Sequence, residues 1–228
     1  MDEHHVTIRP FPRARVLFWV GFALLGASFA LGAFIFFFRE NGPFDVDVAW
    51  MTFVAAARGD ALLWISYAMN FAGAGWFGVF AVPIAVAGAF LIARRPWAAL
   101  FFIAAEIAGA GLVQIMKHLF GRARPEDIIV VSDFGSFPSG HVANAATVAV
   151  AMWVLFPRVW VAIAGVVWTL LMAFSRTYLG AHWLSDTVGG MLVGASAVLL
   201  VAAAFARPLE REWGRKRAEE SVAPPSLG

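Results

Sequence analysis

Long apolar runs without charge are the feature that most constrains how this chain can fold. The first run, residues 16–38, contains 23 residues and no charged side chain, and about 20 residues suffice to cross a bilayer core of ~30 Å. Backbone polar groups in lipid must be satisfied within the protein, and the runs lack the alternation of barrel strands, so we expect helices. The hydrophobic share of 61% agrees, because soluble domains are closer to half apolar.

Five further runs bring the predicted number of membrane-spanning helices to six: residues 74–93, 97–116, 142–156, 159–174 and 187–206. The sequence therefore predicts an all-α, polytopic membrane protein with a six-helix membrane domain over residues 16–206. The first run is too long for the core of a signal peptide, so we expect it to be an uncleaved anchor. We expect residues 1–15 to form an N-terminal tail and residues 207–228 a basic, disordered tail.

The segment between the first and second runs has a different character. Residues 44–72 are apolar but are interrupted by Asp45, Asp47, Arg58 and Asp60. We expect this segment to form interfacial helices on the outer face of the membrane. Gly73 and Gly75 predict a break in the helix before the second span begins.

The positive charges are distributed unevenly between the predicted connections. With six crossings, eleven of the 17 lysines and arginines fall on one side, at residues 9, 13, 15, 94, 95, 158, 207, 211, 215, 216 and 217. The positive-inside rule makes that side cytoplasmic, together with both chain termini. Glutamates are interleaved with the basic residues after residue 206, so we expect that tail to contact anionic lipid rather than nucleic acid.

Three polar clusters lie at the opposite, extracytoplasmic ends of the predicted spans, although only 14% of the residues are charged. In order, they are Lys117 with Arg124-Pro125, then Pro138-Ser139-Gly140-His141, then Ser175-Arg176 with His182 and Asp186. Long cationic side chains at helix ends often only extend to the interface. Here, however, three cations persist on the face from which the positive-inside rule removes them, and they accompany two histidines.

The second and third clusters have the composition of an anion site. Ser139 precedes a long apolar run, which is an N-cap position, and the free N–H groups of a first helical turn attract anions. Gly140 would let an anion approach the backbone closely, and His141 would lie beside it. His182 and Asp186 are four residues apart, so on a helix the carboxylate could hold one imidazole nitrogen and direct the other outward. Arginine and lysine can clamp the oxygens of a phosphoryl transition state.

The complete pattern, Lys-x6-Arg-Pro, Pro-Ser-Gly-His and Ser-Arg-x5-His-x3-Asp, resembles that of the type 2 phosphatidic acid phosphatase superfamily, in its membrane branch. The resemblance implies that His182 attacks phosphorus to form a phosphohistidine, supported by Asp186, and that His141 protonates the leaving oxygen. It also implies that the phosphate is held by Lys117, Arg124, Ser139, Gly140 and Arg176. No metal or other cofactor is expected, and a lone carboxylate among cations is a poor site for a divalent ion.

The resemblance implies a metal-independent lipid phosphatase, and two alternatives stay open. A vanadium-dependent haloperoxidase would share the motifs, but that branch is soluble, unlike a chain with six spans. A non-catalytic lipid-phosphate binder or transporter would need the anion site but not both histidines and the carboxylate. The expected substrate is a polyprenyl diphosphate such as undecaprenyl diphosphate, with phosphatidylglycerophosphate or phosphatidic acid as the alternative. Glu106, in the third span, is expected on the same helix face as Lys117, about 16 Å deeper.

Overall fold

The computed structural model describes residues 13–73 and 75–222, with side chains in the last helix described as far as Arg215. The described chain is helical and contains no strand. Its helices are α1 (Ala14–Phe38), α2 (Asp45–Ala56), α3 (Asp60–Gly73), α4 (Val82–Ile92), α5 (Pro96–Phe120), α6 (Gly140–Leu155), α7 (Val159–Tyr178) and α8 (Leu184–Val222). The all-α fold class predicted from the apolar runs is confirmed.

Four of the described helices are long and apolar enough to cross a membrane. They are α1, α5, α7 and the part of α8 up to Arg215. A fifth span is possible where α3 meets the π-helical turn Phe77–Ala81 and α4 at a bend of 49°. The sixth candidate, α6, has 16 residues, about 24 Å at 1.5 Å per residue, and needs its flanking residues to reach across ~30 Å.

The helix break predicted at Gly73 and Gly75 is present before the π-helical turn and α4. Helix α3 ends at Gly73, and Gly75 has a φ of +65°, which glycine adopts without the steric cost that a Cβ would impose. Residues 44–72, expected as interfacial helices, fold into α2 and α3. The side chain of Trp50 donates from Nε1 to Thr177 Oγ1 at 2.9 Å, which fastens α2 to the end of α7.

Helix α8 is the centre of the bundle and packs against α1, α5 and α6. Small residues permit close approach of α6 and α8: a Cβ at Gly190 would lie 2.6 Å from the carbonyl oxygen of Ser139. Toward the end of the bundle where α1 and α5 finish, an apolar cluster joins α1, α5 and α8 around Ile35, Val113 and Val193. The ends of α5 and α7 and the starts of α6 and α8 therefore share one face.

The C-terminal part of α8 differs from the disordered tail expected after residue 206, because the helix continues to Val222. Leu209 is buried in the apolar cluster at the far end of the bundle. The carboxylate of Glu212 is also buried, and it accepts hydrogen bonds from the backbone N–H groups of Trp97 and Ala98 at 2.8 and 3.2 Å. This contact caps the start of α5 and gives the extended helix a packing partner. Residues 1–12 and 223–228 of the expected tails lie outside the described part.

Candidate active site

The eight residues singled out in the three sequence clusters converge at one end of the bundle. Lys117 lies in the last turn of α5, Ser139 is the N-cap residue of α6, and Arg176 lies in the last turn of α7. Gly140 and His141 begin α6, and Asp186 lies in the first turn of α8. The loop between α5 and α6 contributes Arg124, and the turn before α8 contributes His182. The helix ends therefore supply most of the site, and two connections complete it.

His182 is buried and held in one ring orientation. Its Nδ1 lies 2.8 Å from the backbone oxygen of Ser136, and a carbonyl can only accept, so Nδ1 carries the proton in this contact. The other nitrogen, Nε2, is then unprotonated and lies 3.2 Å from Nη1 of Arg124. Gly180 makes this turn possible, because it has a φ of +65° and a Cβ there would clash with the carbonyl oxygen of Asp127.

The expected direct hydrogen bond between Asp186 and His182 is not formed. Asp186 Oδ2 is 3.7 Å from His182 Nδ1, and it accepts instead from Ser136 Oγ at 2.5 Å and from the Trp183 backbone N–H at 2.9 Å. The expectation placed both residues on one helix, whereas α8 begins at Leu184, after the histidine. Ser136 therefore bridges the two groups, with its side chain on the carboxylate and its carbonyl on the imidazole.

The cations of the first cluster form a clamp with an acidic residue between them. Lys117 Nζ donates to the carbonyl oxygen of Gly135 at 2.6 Å and to Asp133 Oδ1 at 3.2 Å. Arg124 Nη2 donates to the same Asp133 Oδ1 at 2.7 Å, and its Nη1 donates to the carbonyl oxygen of Ala181 at 2.6 Å. The two cations thus share one carboxylate oxygen beside the imidazole of His182.

Arg176 and His141 are joined through Asn70 of α3. Arg176 Nη1 donates to the side-chain oxygen of Asn70, and His141 Nε2 donates to its backbone oxygen at 3.2 Å. With Nε2 engaged by a carbonyl, Nδ1 is the nitrogen of His141 that can exchange a proton with a ligand. Asn70 therefore orients one cation and one acid–base group at the same time.

The start of α6 has unused hydrogen-bonding capacity. Ser139 Oγ is buried and makes no hydrogen bond within the described residues, and it does not cap its own helix. A Cβ added at Gly140 would meet its nearest neighbour, a Val113 methyl, at 3.6 Å, an ordinary contact distance. Protein packing therefore does not require glycine at residue 140, and an anion approaching the backbone N–H groups would benefit from the missing side chain.

Burial and the surrounding cations keep His182 neutral. Burial is the largest cause, followed by the cations of Arg176, Arg124 and Lys117, and together they hold the pKa of the His182 imidazole well below its ordinary value. A neutral imidazole with its proton on Nδ1 presents the lone pair of Nε2. That is the form required of a nucleophile.

A cavity of about 640 Å³ leads from this cluster along α4, α5 and α6. At one end it is lined by Arg124, His141, Arg176 and His182, and further along it by apolar side chains such as Phe80 and Ile84. Glu106 also lines the cavity, and its Oε1 has no hydrogen-bond partner among the described residues. The cavity thus combines a polar, cationic end with a mainly apolar wall, which suits an amphiphile with an anionic head group.

Sequence reasoning missed four residues that organise the site: Asn70, Arg122, Asp133 and Ser136. Arg122 is one of the six lysines and arginines that the charge count leaves on the extracytoplasmic side, and nothing in its sequence position distinguishes it from an interfacial arginine. It is buried, and its Nη1 donates to Asp186 Oδ1 at 2.5 Å. The other three lie in segments without helical periodicity or on a different helix, so their spacing carried no signal.

Comparison with known proteins gives a family match and several relatives. The model of the PAP2 superfamily matches residues 95–209, which include all eight predicted site residues. The lipid A 1-phosphatase of Rhizobium johnstonii is 33% identical over 123 residues, 49% of this chain and 49% of that protein. The undecaprenyl-diphosphatase of Sulfolobus acidocaldarius is 29% identical over 102 residues, 41% of this chain and 47% of that protein. This chain spans about half the length of these relatives.

A solved structure shares the fold over nearly the whole chain. It is the crystal structure of a transmembrane PAP2 type phosphatidylglycerolphosphate phosphatase from Bacillus subtilis. The superposition has a TM-score of 0.70 with 23% sequence identity, and it covers 91% of this chain and 99% of the other. The helical architecture is therefore common to both proteins.

Proposed function

This chain belongs to the PAP2 superfamily, and we propose that it is an integral-membrane lipid phosphatase that works through a phosphohistidine intermediate. The observation that carries the proposal is the state of His182. Its Nδ1 donates to the Ser136 carbonyl, and its Nε2 lone pair lies beside Arg124 at the polar end of the amphiphilic cavity, where Arg176 and Lys117 also act on it electrostatically. A nucleophilic nitrogen surrounded by fixed cations matches the needs of phosphoryl transfer.

The first step forms a bond between His182 Nε2 and phosphorus and breaks the bond between phosphorus and the leaving oxygen. Binding of an anionic phosphate favours the imidazolium form of His141. Its Nε2–H stays on the Asn70 carbonyl and its Nδ1 proton passes to the leaving oxygen, so the lipid alcohol or lipid monophosphate departs without an additional negative charge. Arg124 contacts Nε2 before the substrate binds. Its guanidinium is therefore already beside the position where the phosphoryl oxygens would gain negative charge.

The second step returns the enzyme to its starting state. His141, now neutral at Nδ1, accepts a proton from water as the water oxygen attacks phosphorus. The bond from phosphorus to His182 Nε2 breaks, inorganic phosphate leaves, and both imidazoles regain their starting protonation. Throughout, Lys117, Arg124 and Arg176 bind phosphoryl oxygens together with Ser139 Oγ and the N–H of Gly140. All of these steps use groups of the chain itself, so we expect no metal or other cofactor.

A long-chain polyprenyl diphosphate, converted to its monophosphate, is the proposed substrate. The name of the Sulfolobus relative supports this choice, and the apolar wall of the cavity can accommodate a hydrocarbon chain. On the same face of the fold, the side chains of Phe53, Trp64 and Tyr67 are exposed. Amphipathic aromatic residues often occupy the membrane interface, so they could seat the lipid beside the bilayer.

The second candidate is a phosphatase of glycerolipid or lipid A type. The activities for which the Bacillus structure and the Rhizobium relative are named favour it, and the same clamp would hold any of these phosphate monoesters. Selectivity based on apolar contacts is small, because one methylene is worth only about 1–3 kcal/mol. The proposed phosphatase mechanism therefore does not depend on which of these lipids is the substrate.

Phosphate release by the purified protein tests both levels of the proposal. Undecaprenyl diphosphate, phosphatidylglycerophosphate, phosphatidic acid and lipid A should be compared in one detergent, with the His182→Ala variant as the control. The wild type should release phosphate and the variant should not. A kcat/KM about tenfold or more in favour of a glycerolipid or lipid A would overturn the polyprenyl assignment. Equal phosphate release by wild type and variant would overturn the mechanism.

We propose six spans with cytoplasmic termini and a site at the extracytoplasmic face of the membrane. The end of α7 and the start of α6 meet in one site, although only a short turn separates the end of α6 from the start of α7. Helix α6 therefore runs from the site to the opposite face, as a sixth span would. The predominance of arginine at that opposite face supports its cytoplasmic position.

A further inference from the structure

A buried ion pair lies behind the site and touches none of the phosphate-binding positions proposed above. Asp47 of α2 and Arg122 of the α5–α6 loop have relative exposures of 0% and 1%. Taking two such charges out of water is costly and is often not repaid in stability. Since stability alone does not account for a buried ion pair, its place beside the candidate active site suggests a role in that site.

Asp47 connects the starts of two helices. Its Oδ2 accepts from the Phe44 backbone N–H at 3.0 Å, from Ser185 Oγ at 2.7 Å and from Arg122 Nη2 at 3.0 Å. Its Oδ1 accepts from the Ser185 backbone N–H at 2.8 Å. One carboxylate thus caps α2, caps the first turn of α8 and fixes the guanidinium of Arg122.

Arg122, held in place by Asp47, contacts the two residues that position the nucleophile, Asp186 and Ser136. Its Nη1 donates to Asp186 Oδ1 at 2.5 Å, and its backbone oxygen accepts from the Ser136 N–H at 2.8 Å. Its Nη2 is shared between Asp47 and the carbonyl oxygen of Gly42, 3.1 Å away. A planar, forked guanidinium can bridge such partners in a defined geometry, whereas an ammonium group cannot.

The remaining contacts lead to the imidazole. Asp186 Oδ2 accepts from Ser136 Oγ at 2.5 Å, and the Ser136 carbonyl accepts from His182 Nδ1 at 2.8 Å. We infer that Asp47 and Arg122 form a positioning pair that sets the ring orientation of His182 through Asp186 and Ser136. The pair acts on the nucleophile without contacting substrate. Its consequence for turnover rests on the proposed function, whereas its effect on the imidazole does not.

Loss of Arg122 would alter the balance between the two contacts available to His182 Nδ1. Asp186 would remain buried without its cationic partner, and its Oδ2 is only 3.7 Å from that nitrogen. The carboxylate would then compete with the Ser136 carbonyl for the Nδ1 proton, and the ring would rotate. A displacement of about 1 Å in the reacting group can cost about 10²-fold in rate.

The kinetic test compares Arg122→Gln, Arg122→Lys and Asp47→Asn with the wild type, using farnesyl diphosphate in detergent. We expect Arg122→Gln to lower kcat by about 10²-fold and to leave KM unchanged, because the phosphate contacts remain. Arg122→Lys should recover part of the loss, since it keeps the charge but not the fork. Asp47→Asn, which keeps the shape and one acceptor oxygen, should cost less than Arg122→Gln. A higher KM with an unchanged kcat would contradict the inference.

The matched control is Glu212→Gln at the other end of the bundle. Glu212 is likewise a buried carboxylate that caps a helix start, and it lies 3.6 Å from Arg95 Nε. Its loss should lower thermal stability in the same way as Asp47→Asn while leaving kcat unchanged. If Asp47→Asn and Glu212→Gln both lower kcat, each in proportion to its decrease in melting temperature, the role of Asp47 is only structural.

A spectroscopic measurement reads the imidazole directly, whether or not the protein turns over substrate. Long-range ¹H–¹⁵N spectra of the five histidines, with His182→Gln for assignment, should show the Nδ1-protonated tautomer of His182 in the wild type. That signal should change in Arg122→Gln and persist in Glu212→Gln. An unchanged signal in Arg122→Gln would overturn the inference. Absence of phosphate release from every substrate would instead overturn the proposed function and leave the spectral result valid.

Discussion

Neutralising Asp133 should strengthen the binding of anions to the site. The carboxylate oxygen Oδ1 lies 3.2 Å from Lys117 Nζ and 2.7 Å from Arg124 Nη2, the two cations that bind phosphoryl oxygens in the proposed mechanism. Burial alone would raise the pKa of Asp133, but Lys117 and Arg124 outweigh it and hold that pKa below its ordinary value. Asp133 is therefore anionic at neutral pH and competes with substrate for both cations. Asp133→Asn keeps the shape and removes the competing charge.

The expected size of the effect follows from the exposure of the pair. The Asp133 side chain has a relative exposure of 59%, so water screens both contacts, and each exposed ion pair of this kind is worth about 0.2–1 kcal/mol. Two contacts together give about 1 kcal/mol. Because 1.4 kcal/mol corresponds to a factor of ten, the dissociation constant of a bound anion should fall by roughly fivefold.

Competitive inhibition by orthovanadate is the appropriate assay, because vanadate can adopt the trigonal-bipyramidal geometry of the transition state. The inhibition constant should fall roughly fivefold in Asp133→Asn at low salt, and the difference should shrink as ionic strength rises. Asp45→Asn is the control, since Asp45 is a fully exposed carboxylate that lies 3.9 Å from Arg39, away from the clamp. An unchanged or weaker inhibition constant in Asp133→Asn would show that the carboxylate organises the clamp rather than competing for it.

Further results are expected from the same preparation. His182→Ala should abolish phosphate release, because it removes the nitrogen that attacks phosphorus, and His141→Ala should lower kcat by ~10²–10⁴-fold, the usual range for acid–base catalysis. Burial and neighbouring cations lower the pKa of His182, so its neutral form already predominates at the ordinary histidine pKa of about 6.5. Protonation of His182 should therefore not reduce kcat/KM as the pH falls from 7 to about 6. Arg124→Gln removes one of the cations that lower the pKa of His182, so in this variant kcat/KM should begin to fall at a higher pH than in the wild type. Excess EDTA should leave activity intact, and a loss of activity that magnesium restores would contradict the proposed mechanism.

The helices could be predicted from sequence because hydropathy and length do not depend on which neighbours a helix acquires. Residues 16–38 carry enough information to indicate a span, and the helix break at Gly73 follows from local backbone preferences. The C-terminal extension could not be found this way. Its helix is stabilised by Glu212, which caps α5 from a position more than a hundred residues away.

The same distinction between local and tertiary information applies to the residues of the candidate site. Residues at helix ends, such as Lys117, Ser139 and Arg176, could be placed on one face because spans alternate in direction. The direct contact predicted between His182 and Asp186 is not formed, because the i, i+4 relation applies only within a helix. Ser136, which bridges them, belongs to the irregular loop before α6. The path of that loop depends on tertiary contacts, and spacing along the sequence does not encode it.

Accessibility of single cysteines tests the proposed orientation. The chain contains no cysteine, so each introduced thiol is the only reactive one. Val131, in the loop beside Asp133, has a relative exposure of 101%. Arg158, in the turn between α6 and α7, is exposed at the opposite end of the bundle. Gly135 is less suitable for this test, because its φ of +71° disfavours any side chain and its carbonyl oxygen binds Lys117.

A membrane-impermeant maleimide applied to intact cells, after any outer membrane has been permeabilised, should label Val131→Cys and spare Arg158→Cys. After lysis both variants should react, which controls for burial of the thiol. The reason is the arrangement of charge: the clamp cations near residue 131 are buried or paired, whereas Arg94, Arg158 and Arg207 at the far end are exposed, as the positive-inside rule requires of a cytoplasmic face. Labelling of Arg158→Cys alone would move the site to the cytoplasmic side. The phosphatase chemistry would be unaffected, but a lipid diphosphate of the outer leaflet could no longer reach His182.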